Sequence, residues 1–138
     1  MTFEVEIADS QSTLDVDEPL LRSVVQQTLA AEQVSGAVIS VALVDNPTLR
    51  DLNRRHLGHD YDTDVLSFLL ECEPPASPEP AGATLRGRGK RIEGEVILST
   101  EMAAQTAESF GWSAHDEVVL YLVHGLLHLV GYDDLSRD

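Results

Sequence analysis

Residues 118–131 read VVLYLVHGLLHLVG, and they constrain the fold of this 138-residue chain more than any other stretch. Apolar residues fall on nearly every side of a helix with this sequence, and such a helix must be buried. The longest unbroken apolar run, Val118 to Val123, falls far short of the roughly 20 residues that a membrane-spanning helix needs. The segment therefore predicts a long interior helix of a globular domain, which Gly131 ends.

Four strand patterns accompany this helix, and one of them predicts an interior strand. Residues 37–44 (AVISVALV) are almost wholly apolar and β-branched, as expected of a strand covered on both faces. The other strand patterns lie at residues 2–7, 65–70 and 92–98. Residues 71–91 hold four of the six prolines and predict a long exposed loop.

Helix-start signals occur between these strands. Acidic residues and a proline open one helix at Asp17 to Pro19. Asn46 with Pro47 resembles the N-cap and first helical residue of a second helix, and Ser99 or Thr100 starts a third. The order β-α-β-α-β-β-α-α predicts an α/β (α+β) fold. We expect one domain over residues 1–138, with a single mixed sheet of about four strands packed with four to five helices.

Cysteine content and the N-terminus indicate a reducing compartment. Cys72 is the only cysteine, so an intrachain disulfide is excluded. The first ten residues, MTFEVEIADS, lack the basic segment and apolar run of a secretory signal. These features predict a soluble, intracellular protein.

The interior helix also carries a histidine pair at metal-binding spacing. His124 and His128 are four residues apart and project from one helix face, Gly131 lets the chain turn back, and Asp134 follows three residues later. The spacing His-x3-His-x2-Gly-x2-Asp predicts three zinc ligands and an open fourth position for water, as in catalytic zinc sites. Asp133 is the competing ligand, although its spacing suits a supporting role better. The alternative is a pair of core histidines with satisfied hydrogen bonds.

This spacing is also similar to that of zinc proteases with the H-E-x-x-H-x-x-G-x-x-H pattern. In those enzymes the residue after the first histidine is the general-base glutamate. Here that residue is Gly125, which has no side chain. Peptide hydrolysis would therefore need a base from elsewhere in the chain.

The motifs resemble those of the YbeY endoribonuclease family. HGLLHLVGYDD at residues 124–134 resembles the family signature H-G-x-L-H-L-x-G-Y-D-H, and TDVLSF at residues 63–68 matches its second hallmark. LN at 52–53, G-x-D at 58–60 and a Gly-acid-hydrophobic step at 94–96 follow the family's order. The resemblance covers roughly residues 40–135.

The resemblance implies a zinc-dependent, single-strand-specific endoribonuclease in the cytoplasm. Its expected role is ribosomal RNA maturation, particularly at the 3′ end of small-subunit RNA, and ribosome quality control. One Zn²⁺ per chain would be the cofactor, at the end of the last long helix. Single-stranded ribosomal RNA and ribosomal particles would be the partners, with no membrane involved.

Two positions depart from the family pattern. The family's third ligand is histidine where this chain has Asp134, and aspartate also ligates zinc. An arginine that faces the substrate phosphate in the family is replaced by Leu57, which cannot bind a phosphate. Arg54, one helical turn earlier, could reach the same side of the helix. The alternative is that Arg54 and Arg55 merely solvate an exposed face.

Two carboxylates are candidates for proton transfer or for orienting the site. Asp64 in TDVLSF is the catalytic candidate, and Glu95 is the second carboxylate to consider. A Thr-Asp pair at a strand end is as often turn chemistry as catalysis.

The charge distribution predicts where RNA would bind. The chain has 9 Lys and Arg residues against 24 Asp and Glu residues, a formal net charge of −15 that opposes nucleic-acid binding over the whole surface. Residues 50–55 and 84–91 nevertheless carry +2 and +4, which would confine RNA to one groove. The predicted substrate-binding residues in these segments are Arg54, Arg55, Arg86, Arg88, Lys90 and Arg91.

Three functions remain open from the sequence. The first is the metal-dependent endoribonuclease. The second is a ribosome-associated metal-binding protein with lost or altered catalysis, which the two departures support. The third is a metal hydrolase on another substrate, such as peptides.

Overall fold

The protein is described by a computed structural model that covers residues 2–59, 63–76 and 85–132. Within these ranges the order of elements is that predicted from the sequence, and the α/β fold with a four-stranded mixed sheet is confirmed. The elements are β1 (Thr2–Asp9), α1 (Glu18–Ala31), β2 (Gly36–Val44), α2 (Asn46–Leu57), β3 (Val65–Glu73), β4 (Arg91–Ser99), α3 (Thr100–Phe110) and α4 (Ala114–Val130).

The strands lie in the order β1-β2-β4-β3. β1 and β4 are both parallel to β2, whereas β3 runs antiparallel to β4. The antiparallel step places the start of β3 beside the end of β4, with Val65 opposite Leu98. The sheet thereby brings residues 63–68 to the edge along which α4 packs.

The main core lies between the sheet and the helices α1, α3 and α4. α4 contacts α1, α3, β3 and β4, so it is surrounded as its apolar sequence predicts. A smaller cluster of Val44, Leu49, Leu66 and Ile97 attaches α2 to the other face of the sheet. No helix within the described ranges is long and apolar enough to cross a membrane.

Most helix ends follow their sequence signals. The Ser113 side chain accepts a hydrogen bond from the Asp116 backbone N–H at 3.0 Å and caps the start of α4. Gly131 ends α4 with a φ of 120°, a value that residues with a Cβ rarely adopt. The cap at Gly131 confirms the predicted end of the helix that carries the histidine pair.

The N-cap of α2 differs from the prediction by one residue. Asp45, in extended conformation, caps the helix by accepting a hydrogen bond from the Thr48 N–H at 2.9 Å. Hydrogen bonds from the hydroxyl and N–H of Thr48 lower the pKa of Asp45. Asn46 is instead the first helical residue; its N–H donates to Glu101 Oε1 at 2.7 Å, and its side-chain oxygen accepts a hydrogen bond from the Ser99 hydroxyl.

The predicted loop over residues 71–91 is shorter than expected at both ends. β3 continues to Glu73 after a bulge between Leu69 and Glu71, and β4 begins at Arg91. Pairing of residues 71–73 with 91–93 satisfies backbone groups that an exposed loop would leave to water. Residues 77–84 lie outside the described residues, and residues 86–89 form a turn.

Candidate active site

His124 and His128 lie on the wall of one cavity of about 400 Å³. His124 is half-buried and His128 is exposed, so the pair extends from the interior toward the surface of α4. The cavity opens between α4, the end of α2 and the start of β3. The other lining residues are Asn53, Leu57, His59, Thr63, Asp64, Val65, Leu66, Ser67 and Gly125.

Gly125 lets α4 lie directly against the sheet. A Cβ at this position would come within 2.7 Å of Val96 Cγ1, 2.9 Å of Ser67 Oγ and 3.3 Å of Val65 Cγ2. Real Cβ atoms do not approach other heavy atoms to 2.7 Å, so no side chain fits there unless the helix moves. The general-base glutamate of a zinc protease has no space at this position.

Ser67 holds the helix at this point of close approach. Its Oγ donates a hydrogen bond to the Gly125 carbonyl oxygen at 3.0 Å. The bond joins β3 to the turn of α4 that lies between the two histidines. The TDVLSF motif alone does not indicate this role of the serine, because the contact partner is 58 residues away.

Asp64 lines the same cavity, where the chain enters β3. Its Oδ1 accepts a hydrogen bond from the Val65 N–H at 2.7 Å, and its carbonyl oxygen accepts one from the Ser99 N–H at 3.1 Å. These bonds fix the carboxylate at the cavity wall. The structure therefore brings Asp64 and both histidines together.

Glu95 does not lie at this cavity. Its partners in register are Ser40 on β2 and Phe68 on β3. Glu95 instead lines a separate cavity of about 530 Å³, together with Glu6 and Arg22. The structure thus separates the second candidate carboxylate from the histidine pair.

The histidine pair fits the donor chemistry of zinc. Two imidazoles one helical turn apart provide nitrogen ligands, and the polar cavity leaves room for further ligands. Within the described ranges no group of three His, Cys, Asp or Glu side chains is arranged to hold a metal, so Asp64 does not complete the set. The predicted third ligand, Asp134, and its competitor, Asp133, lie outside the described residues.

On α2, the structure brings Asn53 and Leu57 to the cavity. Asn53 is only 1% exposed, and the LN motif at residues 52–53 is the one sequence signal that points to it as a site residue. Leu57 lines the cavity at the position where the family pattern has arginine. Arg54 and Arg55 are exposed, are not among the lining residues, and pair with Asp51 at 2.5 and 3.1 Å.

The cations of residues 84–91 occupy different environments. Arg86 and Arg88 lie in the turn, and Arg86 is exposed. The Lys90 Nζ donates to the Val130 carbonyl oxygen at 2.8 Å, at the C-terminal end of α4. Arg91 belongs to β4, and its guanidinium lies 4.0 Å from the Glu73 carboxylate. None of the four lines the histidine cavity.

The fold and the cavity are those of a small α/β protein in which a helix with the His-x3-His pattern forms one wall of a polar cavity. A family model described as Endoribonuclease YbeY matches residues 6–138. This chain belongs to the YbeY endoribonuclease family.

Individual relatives agree with this assignment. A protein named Endoribonuclease YbeY from Salinibacter ruber is 43% identical over 130 residues, which is 94% of this chain and 78% of that protein. Another of that name, from Moorella thermoacetica, is 40% identical over 135 residues, covering 95% of this chain and 84% of that protein. The solution structure of TM1509 from Thermotoga maritima has the same fold, with a TM-score of 0.58 and 22% identity over 97% of this chain and 77% of that chain.

Proposed function

We propose that the protein is a zinc-dependent endoribonuclease that cleaves single-stranded RNA. The observation that carries the proposal is the placement of His124 and His128 on one cavity wall, in a chain that belongs to an endoribonuclease family. The ligand set would be these two histidines and Asp134, with one zinc ion per chain. When bound, zinc would supply Lewis-acid polarisation of the phosphodiester and activation of water.

The chain's own residues would position the RNA around this centre. The Gly125 contact with the sheet and the Ser67 hydrogen bond keep both histidines directed into the cavity. Asn53, buried at the cavity wall, would support the site from α2. Asp64 is the carboxylate placed to accept or deliver a proton in the same cavity.

The shape of the site supports action on unpaired RNA. The cavity lies between α2, α4 and β3, where a flexible strand can place one nucleotide. A base held in a duplex would first have to leave its stack to enter such a cavity. This cost favours single-stranded substrates.

The cellular role that we propose follows from membership of the family. The substrate would be ribosomal RNA, with maturation of the small-subunit 3′ end and ribosome quality control as the processes, in the cytoplasm and on ribosomal particles. The cations in residues 50–55 and 84–91 support RNA as the partner of an otherwise acidic chain. The exposed residue Arg86 is the first candidate for phosphate contact.

One observation favours a second candidate, a ribosome-associated metal-binding protein with lost or altered catalysis. Leu57 lines the cavity where a phosphate-binding arginine is expected, and Arg54 and Arg55 pair with Asp51 outside the cavity lining. Phosphate binding would then depend on other groups. A peptide hydrolase is less consistent with the site, because the helix-sheet contact at Gly125 excludes a glutamate base.

RNA cleavage by matched histidine variants tests the proposal. His128→Ala removes a cavity histidine, whereas His115→Ala removes an exposed histidine of the same helix, whose Nε2 lies 2.8 Å from the Asp15 carbonyl oxygen. With zinc supplied, we expect wild type and His115→Ala to cleave end-labelled single-stranded ribosomal RNA and to leave the duplex intact. His128→Ala should be slower by at least about 100-fold, since it removes one of the proposed ligands.

Three outcomes would contradict the proposal. Equal cleavage by His128→Ala would remove this histidine from the mechanism. Bound zinc without RNA cleavage, even with ribosomal particles present, would favour the metal-binding protein. Zinc-dependent cleavage of a peptide panel, with RNA left intact, would favour the third function.

A further inference from the structure

The cavity that holds the histidine pair has an apolar wall at the end of α2. Leu57, the last residue of α2, lines the cavity and is 49% exposed. Val65 and Leu66, the other leucine and valine side chains of the lining, are half-buried and buried. Among the described lining residues, Leu57 is therefore the apolar side chain that a ligand in the cavity can cover.

The core does not explain why position 57 is apolar. α2 is attached to the sheet through Leu49, which is fully buried, and through Leu52, which packs against the same small cluster. Leu57 belongs to neither of the two apolar clusters of the core. Lysine, glutamine or glutamate would form the last turn of a helix about as well as leucine. An apolar residue is thus placed at the cavity without a packing requirement.

The end of α2 is held in position by an aromatic contact. The rings of His56 and Phe68 lie edge to face, with their centroids 5.4 Å apart and an interplanar angle of 64°. The Gly58 N–H donates to the Arg54 carbonyl oxygen at 3.1 Å and closes the helix. These contacts join the last turn of α2 to β3, whose start forms another part of the cavity wall. Leu57 is consequently presented by a helix end that is already ordered.

The electrostatics of this wall disfavour a phosphate. The C-terminal end of a helix carries a partial negative charge, and α2 ends at Leu57. Arg54 and Arg55, in the same last turn, pair with Asp51 and are not among the lining residues. An uncharged group with an apolar face is therefore the better occupant beside Leu57.

The rest of the lining has the opposite chemistry. His124 and His128 on α4, with Asp64 and Ser67 at the start of β3, give the cavity polar and ionisable side chains. A nucleotide has the same two parts, a base with an apolar face and a charged phosphate. The cavity volume of about 400 Å³ lies within the range of about 300–1,000 Å³ of sites that take small molecules. One nucleotide therefore suits the cavity in both size and chemistry.

We propose that Leu57 is a specificity-determining residue on which an unpaired nucleobase packs, while the phosphate of that nucleotide lies toward the histidine pair. This inference rests on the proposed function, because it takes single-stranded RNA as the substrate of the cavity. The contact would accept any of the bases, since every base has an apolar face. A duplex hides these faces in its stack, so the same contact would select single strands.

RNA binding by matched leucine variants of the full chain, with zinc supplied, tests the proposal. The two probes are a short fluorescent oligouridylate and an abasic ribose-phosphate oligomer of the same length and charge. Leu57→Ala truncates the apolar wall, and Leu57→Met keeps it apolar. Leu20→Ala is the control, because it truncates a leucine of α1 that is 47% exposed and is not among the lining residues. Kd would be measured by fluorescence anisotropy on variants that circular dichroism shows to be folded.

The expected effect follows from the exposed half of the leucine. Complete burial of a leucine side chain is worth roughly 10- to 100-fold in a binding constant, so covering the exposed half is worth about three- to tenfold. We expect the Kd for oligouridylate to rise by about that factor in Leu57→Ala, and to stay within about twofold of wild type in Leu57→Met and Leu20→Ala. The Kd for the abasic oligomer should stay within about twofold in every variant. The salt dependence of binding should not change in Leu57→Ala, because no phosphate contact is lost.

Equal weakening of both probes in Leu57→Ala would overturn the inference, since the leucine would then act on the backbone of the RNA or on the fold. Unchanged binding of oligouridylate by Leu57→Ala would also overturn it, and so would a wild-type protein that does not distinguish the two probes. Base-dependent binding that Leu57→Ala weakens, in a wild-type protein that cleaves no RNA, would leave the base contact standing and overturn the proposed endoribonuclease alone.

Discussion

Replacing Gly125 by alanine tests whether the close contact of α4 with the sheet builds the site. In an ordinary helix the change would stabilise the protein by about 1 kcal/mol, because alanine is the better helix former. Here the new methyl group would lie 2.7 Å from Val96 Cγ1 and 2.9 Å from Ser67 Oγ, well inside the roughly 3.5–4.0 Å of a favourable contact. Overpacking of this kind costs about 1–3 kcal/mol.

The helix must move away from the sheet to relieve this overlap. That movement would stretch the Ser67 hydrogen bond to the Gly125 carbonyl oxygen, which adds about 1 kcal/mol to the cost. The net expectation is a loss of about 1–3 kcal/mol in the free energy of unfolding, measured by urea denaturation. Zinc affinity should fall as well, because residues 124 and 128 flank the displaced turn.

A double-mutant cycle with Val96→Ala isolates the overlap from general damage to the core. Val96 is fully buried, so its truncation alone destabilises the protein. In the double variant the alanine at position 125 no longer meets the valine methyl group. The combined loss should then be smaller than the sum of the single losses by about 1 kcal/mol or more. A Gly125→Ala protein that gains stability, or strictly additive losses in the cycle, would refute the close-contact explanation.

Three further predictions concern charge and pH. Arg86→Gln with Arg88→Gln should weaken RNA binding. The slope of the logarithm of the binding constant against the logarithm of salt concentration should fall in magnitude by about 1.4, the value for two phosphate contacts on a single strand. An unchanged slope would show that the turn is a solvated connection that does not contact RNA. Arg54→Ala should slow RNA cleavage if this side chain replaces the family arginine, whereas a wild-type rate would leave Arg54 as a surface partner of Asp51. Burial raises the pKa of Tyr121 from 10.0 to about 12. The protonated hydroxyl therefore makes its full contribution to the stability of the folded state below pH 10, and this contribution is lost as pH rises toward 12. The free energy of unfolding of Tyr121→Phe should therefore depend less on pH between pH 10 and pH 12 than that of the wild type. An unchanged dependence would contradict the raised pKa of Tyr121.

Local patterns in the sequence predict the helices and strands, because each pattern reflects a physical requirement of residues that are close together in the chain. The apolar sequence of α4 requires burial on nearly every side, and the N–H of Gly131 satisfies carbonyl groups within a few residues of itself. The shift of the α2 cap shows where local rules become ambiguous. Asp45 and Asn46 are both good N-caps, and the distant Glu101 carboxylate engages the Asn46 N–H.

Contacts between residues that are far apart in the sequence carry no local pattern. Glu32 and Tyr132 are 100 residues apart, and no periodicity links a carboxylate after α1 to a tyrosine after α4. The basic segment illustrates the same limit. Its composition predicts an RNA contact, but the chain folds so that Lys90 hydrogen-bonds the end of α4 and Arg91 faces Glu73. For Gly125 the sequence shows an absent side chain, and only packing shows why none fits.

A zinc titration of RNA cleavage by metal-free wild-type protein tests the proposed zinc-dependent cleavage. The initial rate of cleavage of single-stranded ribosomal RNA would be followed as zinc is added, with bound metal quantified in parallel. We expect the rate to rise in proportion to bound zinc and to stop rising at one equivalent per chain, with no rise in His124→Ala or His128→Ala. Full cleavage by protein that retains less than about 0.1 zinc per chain, or zinc binding at one equivalent with no cleavage, would contradict it.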